Sequence, residues 1–329
     1  MKLNGKKIAV TGAGGFIGSH LVEELVKKSA KVRAYVHYNS RGSKGLLELL
    51  PQDILDEVQV LSGDIQDPFS VKKLVAGCDI VFHLAALIGI PYSYVSPQSY
   101  LATNVNGTLN VLEACKDNGV NRLIHTSTSE TYGTALYTPI DEGHPLQAQS
   151  PYSASKISAD NLVQSYFLSF NVPAVTIRPF NNFGPRQSAR AIIPTIIIQA
   201  LTQQEIKLGS LAPIRDYVYV KDTVKAFIMA AIVDQAVGRI INIGTGRSSS
   251  IGNIVKIILG LMNIEKPIIK EDARIRPAKS EVMELICNNA LAQSMLNWEP
   301  ETTFEEGLKQ TCDWIKNNKE RYKANIYNI

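Results

Sequence analysis

Short apolar runs alternate with amphipathic stretches along the first 180 residues. Residues 7–10 (KIAV) read as a strand, and residues 16–29 then repeat apolar positions at a helical period. Residues 31–36, 58–61, 79–84, 122–126 and 174–178 read as further strands. Residues 71–76, 103–118 and 151–170 read as helices, with Leu109, Leu112 and Cys115 on one face of the second. Strands that alternate with helices predict an α/β fold, a Rossmann-type doubly wound parallel sheet. After Arg178 the rhythm changes. A helix is expected at 193–203 and a short strand at 205–208, and residues 251–329 read as mostly helical, with turns at Lys266-Pro267, Arg276-Pro277 and Glu299-Pro300. Residues 220–233 and 240–243 carry patterns that return the chain to the main sheet. The remainder reads as a smaller, mostly helical C-terminal substrate domain, built from interleaved segments.

Composition adds little to this outline. The chain has 329 residues, 45% hydrophobic and 19% charged, with a formal charge of +4. That is enough chain for a substantial core without staples. The densest basic cluster is Lys316, Lys319, Arg321 and Lys323, which reads as a solvated helix face and not as a nucleic-acid patch. Cys78, Cys115, Cys287 and Cys312 share no metal spacing and read as filler in a reducing compartment, so no metal is expected. The start MKLNGKKIAV runs straight into a strand. No apolar run reaches the ~18 residues of a transmembrane helix. A cytoplasmic protein without membrane contact is the expectation.

The candidate chemistry starts at TGAGGFIG, residues 11–18. Gly12, Gly15 and Gly18 follow a strand and open a helix, so Phe16, Ile17 and the neighbouring amides can face a pyrophosphate. This predicts a dinucleotide site. The second strand ends HYNSR with no carboxylate to hold a ribose. His37, Ser40 and Arg41 are instead candidates for a 2′-phosphate, with Arg41 merely facing solvent as the alternative. Gly63-Asp64-Ile65 follows the third strand, where Asp64 can accept from an adenine amine or serve as a turn residue. The second motif is SPYSASK, residues 150–156. Ser150 suits an N-cap and Pro151 the first helical position, which sets Tyr152 and Lys156 one turn apart on one face. A phenol near pKa ~10 is too weak a base at neutral pH, and an adjacent ammonium is expected to lower it. The third motif is TSTSETYG, residues 126–133, which puts hydroxyls and one carboxylate at the mouth of a buried strand.

TGAGGFIG, GDI (63–65), HLAA (83–86), Asn104, TSTSETYG, PYSASK, RPFNNFGP (178–185), RDYVYVKD (215–222) and IRPAKSE (275–281) occur in this order along nearly the whole chain. Together they resemble the extended short-chain dehydrogenases/reductases of the NAD-dependent, nucleotide-sugar epimerase/dehydratase family. The resemblance implies an NAD(P)-binding Rossmann domain over 1–179 plus about 215–247, and a nucleotide-sugar-binding domain over 180–214 and 248–329. It implies a tightly bound NADP or NAD, with Ile65, Leu84, Ala85, Ala86 and Asn104 adding to the cofactor site beside Tyr152 and Lys156. It implies catalysis by Tyr152, Lys156 and Thr128. The Thr128-Ser129-Glu130 run resembles GDP-mannose 4,6-dehydratases and also UDP-glucuronate decarboxylases. The stretch GPRQSARAIIPTII (184–197) is similar to dehydratases of legionaminic acid biosynthesis, which act on a nucleotide-linked N-acetylglucosamine.

The implied reaction is therefore 4,6-dehydration of a UDP- or GDP-linked hexose, a lyase activity. Glu130 acts as C5 base, with Ser129 standing where an aspartate is usual. The alternatives are a decarboxylase, with Arg186 or Arg190 on the substrate carboxylate, a C4 epimerase, or a non-catalytic dinucleotide sensor. Asn181, Arg186, Arg215 and Arg276 are the implied substrate-binding residues. A homodimer pairing the helices near 103–118 and 151–170 is also implied.

Overall fold

The structure, a computed structural model, describes residues 2–323 apart from Arg276. Its main layer is a seven-stranded sheet. The strands are β1 (Lys7–Thr11), β2 (Lys31–His37), β3 (Val58–Gly63), β4 (Ile80–His83), β5 (Arg122–Thr126), β6 (Ala174–Pro179) and β10 (Ile240–Ile243). Their spatial order is β10-β6-β5-β4-β1-β2-β3, and every pairing is parallel. Helices cover both faces, so β4, β5 and β6 are buried almost throughout. The order reverses between β1 and β4, where Thr11 is in register with both Tyr35 and His83. A crevice at such a reversal is where open α/β sheets bind ligands.

Local chemistry explains the element ends. The helix Pro68–Val75 starts three residues before the apolar pattern suggests, because Asp67 accepts from the amides of Phe69 and Ser70 and Pro68 fills the first turn. The helix Pro151–Phe170 opens on a capping box between Ser150 and Ser153 and ends at left-handed Asn171. The long helix expected at 103–118 is two pieces. A π-turn over Leu101–Asn106 feeds the α-helix Gly107–Asn118. Two short helices, Ile90–Val95 and Pro97–Tyr100, precede it, each opened by a proline.

A second sheet holds β9 (Ile214–Tyr219) between β11 (Ser248–Ser250) and β13 (Glu284–Leu285), with β7 (Asn181–Phe183) paired to the far half of β9. Residues 215–219 thus lie in this second layer. From Val220 the chain turns into the helix Val220–Ile232, which packs on β5, β6 and the helix Phe16–Lys27. Fully buried Trp298 donates to the carbonyl of Asp222 at 2.9 Å, tying the last third of the chain to that helix. A two-stranded ribbon, β8 (Ile206–Leu208) with β12 (Ile268–Lys270), completes the strands. The helices Ile192–Thr202, Ile251–Met262 and Phe304–Asn317 surround a separate apolar cluster. All four cysteines are free and buried. Among the described residues no helix is long and apolar enough to cross a membrane, and no group of three or more His, Cys, Asp or Glu is placed to hold a metal ion.

Candidate active site

β5 ends at Thr126, and the chain beyond it forms a single 3-10 turn, Ser129–Tyr132. Thr128 caps it, its hydroxyl accepting from the amide of Glu130 at 3.2 Å, and the Thr131 hydroxyl donates back to the Thr128 carbonyl at 2.8 Å. The turn sorts its side chains by depth. Ser129, Thr131 and Tyr132 point inward and are buried, while Thr128 and Glu130 remain half-exposed. The expected cluster is thus a capped turn and a surface of reactive groups at once.

The helix Pro151–Phe170 brings Tyr152 and Lys156 against this turn. Thr128 hydrogen-bonds the Tyr152 phenol, and the Glu130 charge acts on it. Lys156 Nζ donates to the Thr126 carbonyl at 2.7 Å. The Tyr152 ring meets Tyr100 edge-on at 6.2 Å, inside an apolar collar of Leu87 and Ile90. The sequence leads one to expect a lowered Tyr152. In the chain alone the phenol is pushed up instead: burial dominates, the Thr128 bond opposes it, and Glu130 adds to it. Burial also brings the Lys156 ammonium down to about 8, against the pull of Asp160. A buried ammonium that titrates near neutrality can lose or regain a proton at little cost.

The cradle lies at the ends of β1, β2 and β4. Gly12 has a φ of +67°, and a Cβ there would sit 2.8 Å from the backbone of Leu84 and Ala85. At Gly18 a Cβ would come 2.2 Å from the Gly12 carbonyl, so only glycine lets the helix close on the loop. Gly15 is exposed, and no side chain caps the helix Phe16–Lys27 that begins at Phe16 and Ile17. That leaves backbone amides facing outward, as a bound pyrophosphate requires. The Thr11 hydroxyl accepts from the amides of Leu84 and Ala85, both at 3.1 Å, and holds the β4 exit through Ala86 beside the loop. At the end of β2, Asn39 Oδ1 accepts from the amides of Arg41 and Ser43, which shapes a loop whose His37, Ser40 and Arg41 stand exposed. Asp64 is half-buried and accepts from the amide of Gln66, while buried Ile65 offers its carbonyl to Asn110. These residues fit a dinucleotide. Asn104 is different. Its amide group is spent on the backbone of Leu87 and on Ser155, so it shapes the wall of the site.

The candidate substrate residues are less uniform. Asn181 Nδ2 is buried without a partner among the described residues, which suits a missing acceptor. Arg215 is buried, and its fork donates to the carbonyls of Ile214 and Met283 and to Glu281 at 3.0–3.3 Å. Arg186 pairs through Nη2 with Glu23 at 2.7 Å on the helix Phe16–Lys27, while its Nη1 is buried without a partner among the described residues. Arg276 lies outside the described residues. Arg190 reaches further in: a Cβ on Gly89 would sit 3.3 Å from its Nη1, and its charge acts on Tyr100. Sequence reasoning missed Tyr100 and Asp160. The only signal for Asp160 is its spacing, one further turn beyond Lys156.

A reversed parallel sheet with a glycine cradle, beside a tyrosine and lysine that share a pocket with a strand-end threonine, defines an extended short-chain dehydrogenase/reductase of the NAD-dependent epimerase/dehydratase kind. Within it, the chain belongs to the family described as GDP-mannose 4,6 dehydratase, which matches residues 9–311. It is 32% identical over 317 residues to a dTDP-glucose 4,6-dehydratase of Mycolicibacterium smegmatis, covering 95% of this chain and 94% of the relative. It is 30% identical over 317 residues to a putative UDP-glucose 4-epimerase of Methanocaldococcus jannaschii, covering 94% and 99%. A trifunctional UDP-glucose 4,6-dehydratase of Arabidopsis thaliana is 31% identical over 322 residues, 96% of this chain, and the chain spans only 48% of that enzyme's length. Among solved structures, a dTDP-glucose 4,6-dehydratase of Streptomyces venezuelae with NAD bound superposes with a TM-score of 0.89, at 26% identity over 96% of this chain and 99% of that one.

Proposed function

We propose that this chain is a nucleotide-sugar 4,6-dehydratase that takes an NDP-hexose, NDP-N-acetylglucosamine in particular, to its 4-keto-6-deoxy derivative. The observation that carries the reading is the placement of the Glu130 carboxylate on the same turn as Thr128, close enough to act on the Tyr152 phenol. A simple C4 epimerisation needs Tyr152 but no second base, whereas elimination of water across C5 and C6 does.

A bound NADP or NAD, which the cradle residues would hold, would supply reversible hydride-transfer chemistry with no net hydride consumed. Gly12, Gly15 and Gly18 would admit its pyrophosphate to the helix amides, with Phe16 and Ile17 in the first turn. Asp64 would face the adenine, and His37, Ser40 and Arg41 the ribose edge. The chain's own residues move the protons. Tyr152 takes the O4 proton, Thr128 hydrogen-bonds the same oxygen, and Lys156 favours the phenolate by its charge. A positive nicotinamide near Tyr152 would oppose the burial that holds the phenol up. Glu130 then removes the C5 proton, acidified by the 4-ketone, and passes it to the leaving O6, which departs as water. C5 regains a proton from solvent when C6 is reduced, and Tyr152 releases the O4 proton to solvent, so that the cycle balances. Ser129 is buried and is a poor acid, so that second duty also falls to Glu130. Asn181, Arg215 and Arg276 would hold the substrate diphosphate or sugar. Arg186, whose Nη2 is paired to Glu23 and whose Nη1 is left buried without a partner among the described residues, would join them.

The division into a cofactor part (1–179 and about 215–247) and a nucleotide-sugar part (180–214 and 248–329) belongs to the same reading. So does a homodimer through the helices near 103–118 and 151–170, whose Leu168 and Phe170 are exposed. The similarity to a 4-epimerase favours C4 epimerisation as the second reading. Mass spectrometry of UDP-, dTDP- and GDP-sugars after incubation separates the two. Loss of one water supports dehydration. Loss of carbon dioxide, or a new isomer of unchanged mass resolved by chromatography before the mass measurement, overturns it.

A further inference from the structure

Arg178 is 2% exposed, and its guanidinium is shared between the two halves of the site. Nε and Nη2 donate to Asp160 Oδ2 at 3.2 and 2.9 Å. Nη1 donates to the Tyr132 hydroxyl at 3.1 Å, and the guanidinium lies 5.0 Å from the centre of the Tyr132 ring. Asp160 comes one turn after Lys156 on the helix Pro151–Phe170, and Tyr132 ends the turn that begins at Thr128. Asp160 also accepts from the Ser127 hydroxyl at 2.7 Å and faces His125 Nε2 at 3.1 Å. The Tyr132 hydroxyl donates onward to Asn242 Oδ1 at 2.7 Å. One arginine therefore spans from the helix that carries Tyr152 and Lys156 to the turn that carries Glu130.

The proton transfers assigned above use neither Asp160 nor Arg178. A buried ion pair is weak evidence for stability, since apolar side chains of equal volume often serve as well. We propose that Asp160 and Arg178 are positioning residues, which fix the Thr128–Glu130 turn against the Tyr152–Lys156 helix and set the charge felt by both proton-transfer groups. The inference rests on the reading of Tyr152 as the base. Two buried cations, Lys156 and Arg178, share one fully buried carboxylate. Without it, the phenol and the ammonium would each face an excess of positive charge, and both would lose a proton at lower pH. The other groups that face these residues are His125 from β5, His83 from β4, Glu130 from the turn, Tyr100 from the helix Pro97–Tyr100 and Glu142, whose carboxylate acts on Tyr132 and Arg178. Burial holds both histidines neutral, and they add no charge that would mask the effect.

The test is the pH profile of kcat/KM for Asp160→Asn, with Asp160→Glu as the rescue, alongside ultraviolet difference titration of the Tyr152 phenol against a Tyr152→Phe background. Asp160→Asn should move both limbs and the phenol titration toward acid by about one unit. It should lower kcat about 10²-fold, the cost of roughly 1 Å of misplacement, with KM little changed. Asp160→Glu should restore the limbs. A lowered melting temperature with limbs and titration unmoved makes the pair merely structural and overturns the proposal. Should Asp160→Asn fail to fold, Tyr132→Phe decides: it keeps the ion pair and the ring, and a wild-type kcat there overturns the link to the turn. If Tyr152→Phe itself retains turnover, the fault lies in the assignment of the base and not in the pair.

Discussion

Lys156 and Thr126 are joined by a 2.7 Å hydrogen bond from the ammonium to the last carbonyl of β5. The lysine is therefore anchored to the strand that delivers Thr128, one helical turn beyond Tyr152. Replacing it by methionine keeps the stem and removes the charge. Lys156→Met should cut kcat roughly 10²–10⁴-fold, the scale of a lost proton-transfer contribution. The acid limb of the rate profile should move to higher pH, because the phenol loses its cation. A steady-state profile between about pH 6 and 10 checks this shift of the phenol; an unmoved limb would assign Lys156 to cofactor binding alone.

In the proposed reaction, dehydration turns on Glu130. Glu130→Gln should keep the fold and the bound cofactor and still allow the first oxidation, which Tyr152 performs. Elimination should slow by roughly 10²–10⁴. Reduced nicotinamide should then accumulate and be visible in the near ultraviolet. Tyr152→Phe should show none. Turnover of Glu130→Gln at the wild-type rate would reduce Glu130 to a turn residue.

The exposed loop shaped by Asn39 carries Arg41, the residue proposed to face a 2′-phosphate. Arg41→Ala should weaken NADP about tenfold and leave NAD unchanged, the scale of one charge-assisted hydrogen bond. Isothermal titration of both nucleotides measures it. Equal affinities before and after would leave Arg41 as a solvated side chain, and NAD alone released from the purified protein would agree with that outcome.

Gly18→Ala probes the cradle. Its Cβ would lie 2.2 Å from the Gly12 carbonyl, so backbone must move. The cost should be about 1–3 kcal/mol of stability. Bound cofactor should also be lost, measured by denaturation and by cofactor content. Full occupancy would mean that the loop has more freedom than its packing allows.

His20 is buried, and burial first, then the Arg186 charge, brings its pKa from 6.5 down to about 4. Its neutral form is favoured in the fold, so its contribution is complete above about pH 6.5 and is lost as pH falls toward about 4. The difference amounts to about 3 kcal/mol. Chemical denaturation across about pH 4–7 should show this slope, steepened by His83 and His125, whose burial acts the same way. His20→Gln should flatten the part that belongs to His20.

Much of the sheet is legible in the sequence because strands covered on both faces read as uninterrupted apolar runs, as in residues 174–178. The Tyr152–Lys156 pair is legible because one helical turn is a fixed spacing, and Gly12 and Gly18 because their roles are backbone roles. The features that escape depend on contacts distant in sequence. Asp160 acquires its meaning from Arg178 and Ser127, and Tyr100 from Tyr152. Arg186 reads as a substrate-binding residue, and its pairing with Glu23, 163 residues away, is not visible in the spacing. The direction of the Tyr152 shift escapes for the same reason. Spacing reveals a neighbouring ammonium, but it does not reveal how completely a ring is buried.

The π-turn at Leu101–Asn106 turns chain length into a functional quantity. Each helical residue rotates the chain beyond it by about 100°, given roughly 3.6 residues per turn. Tyr100 sits just before this turn and the helix Gly107–Asn118 just after it. Deleting one residue between them would restore an ordinary helix and swing Tyr100 away from Tyr152, although no side chain in the pocket had been altered. Along this stretch, substitutions away from Asn104 that preserve the residue count keep the angular register of the pocket wall, whereas a single gap or insertion does not, even one composed of favourable helix formers.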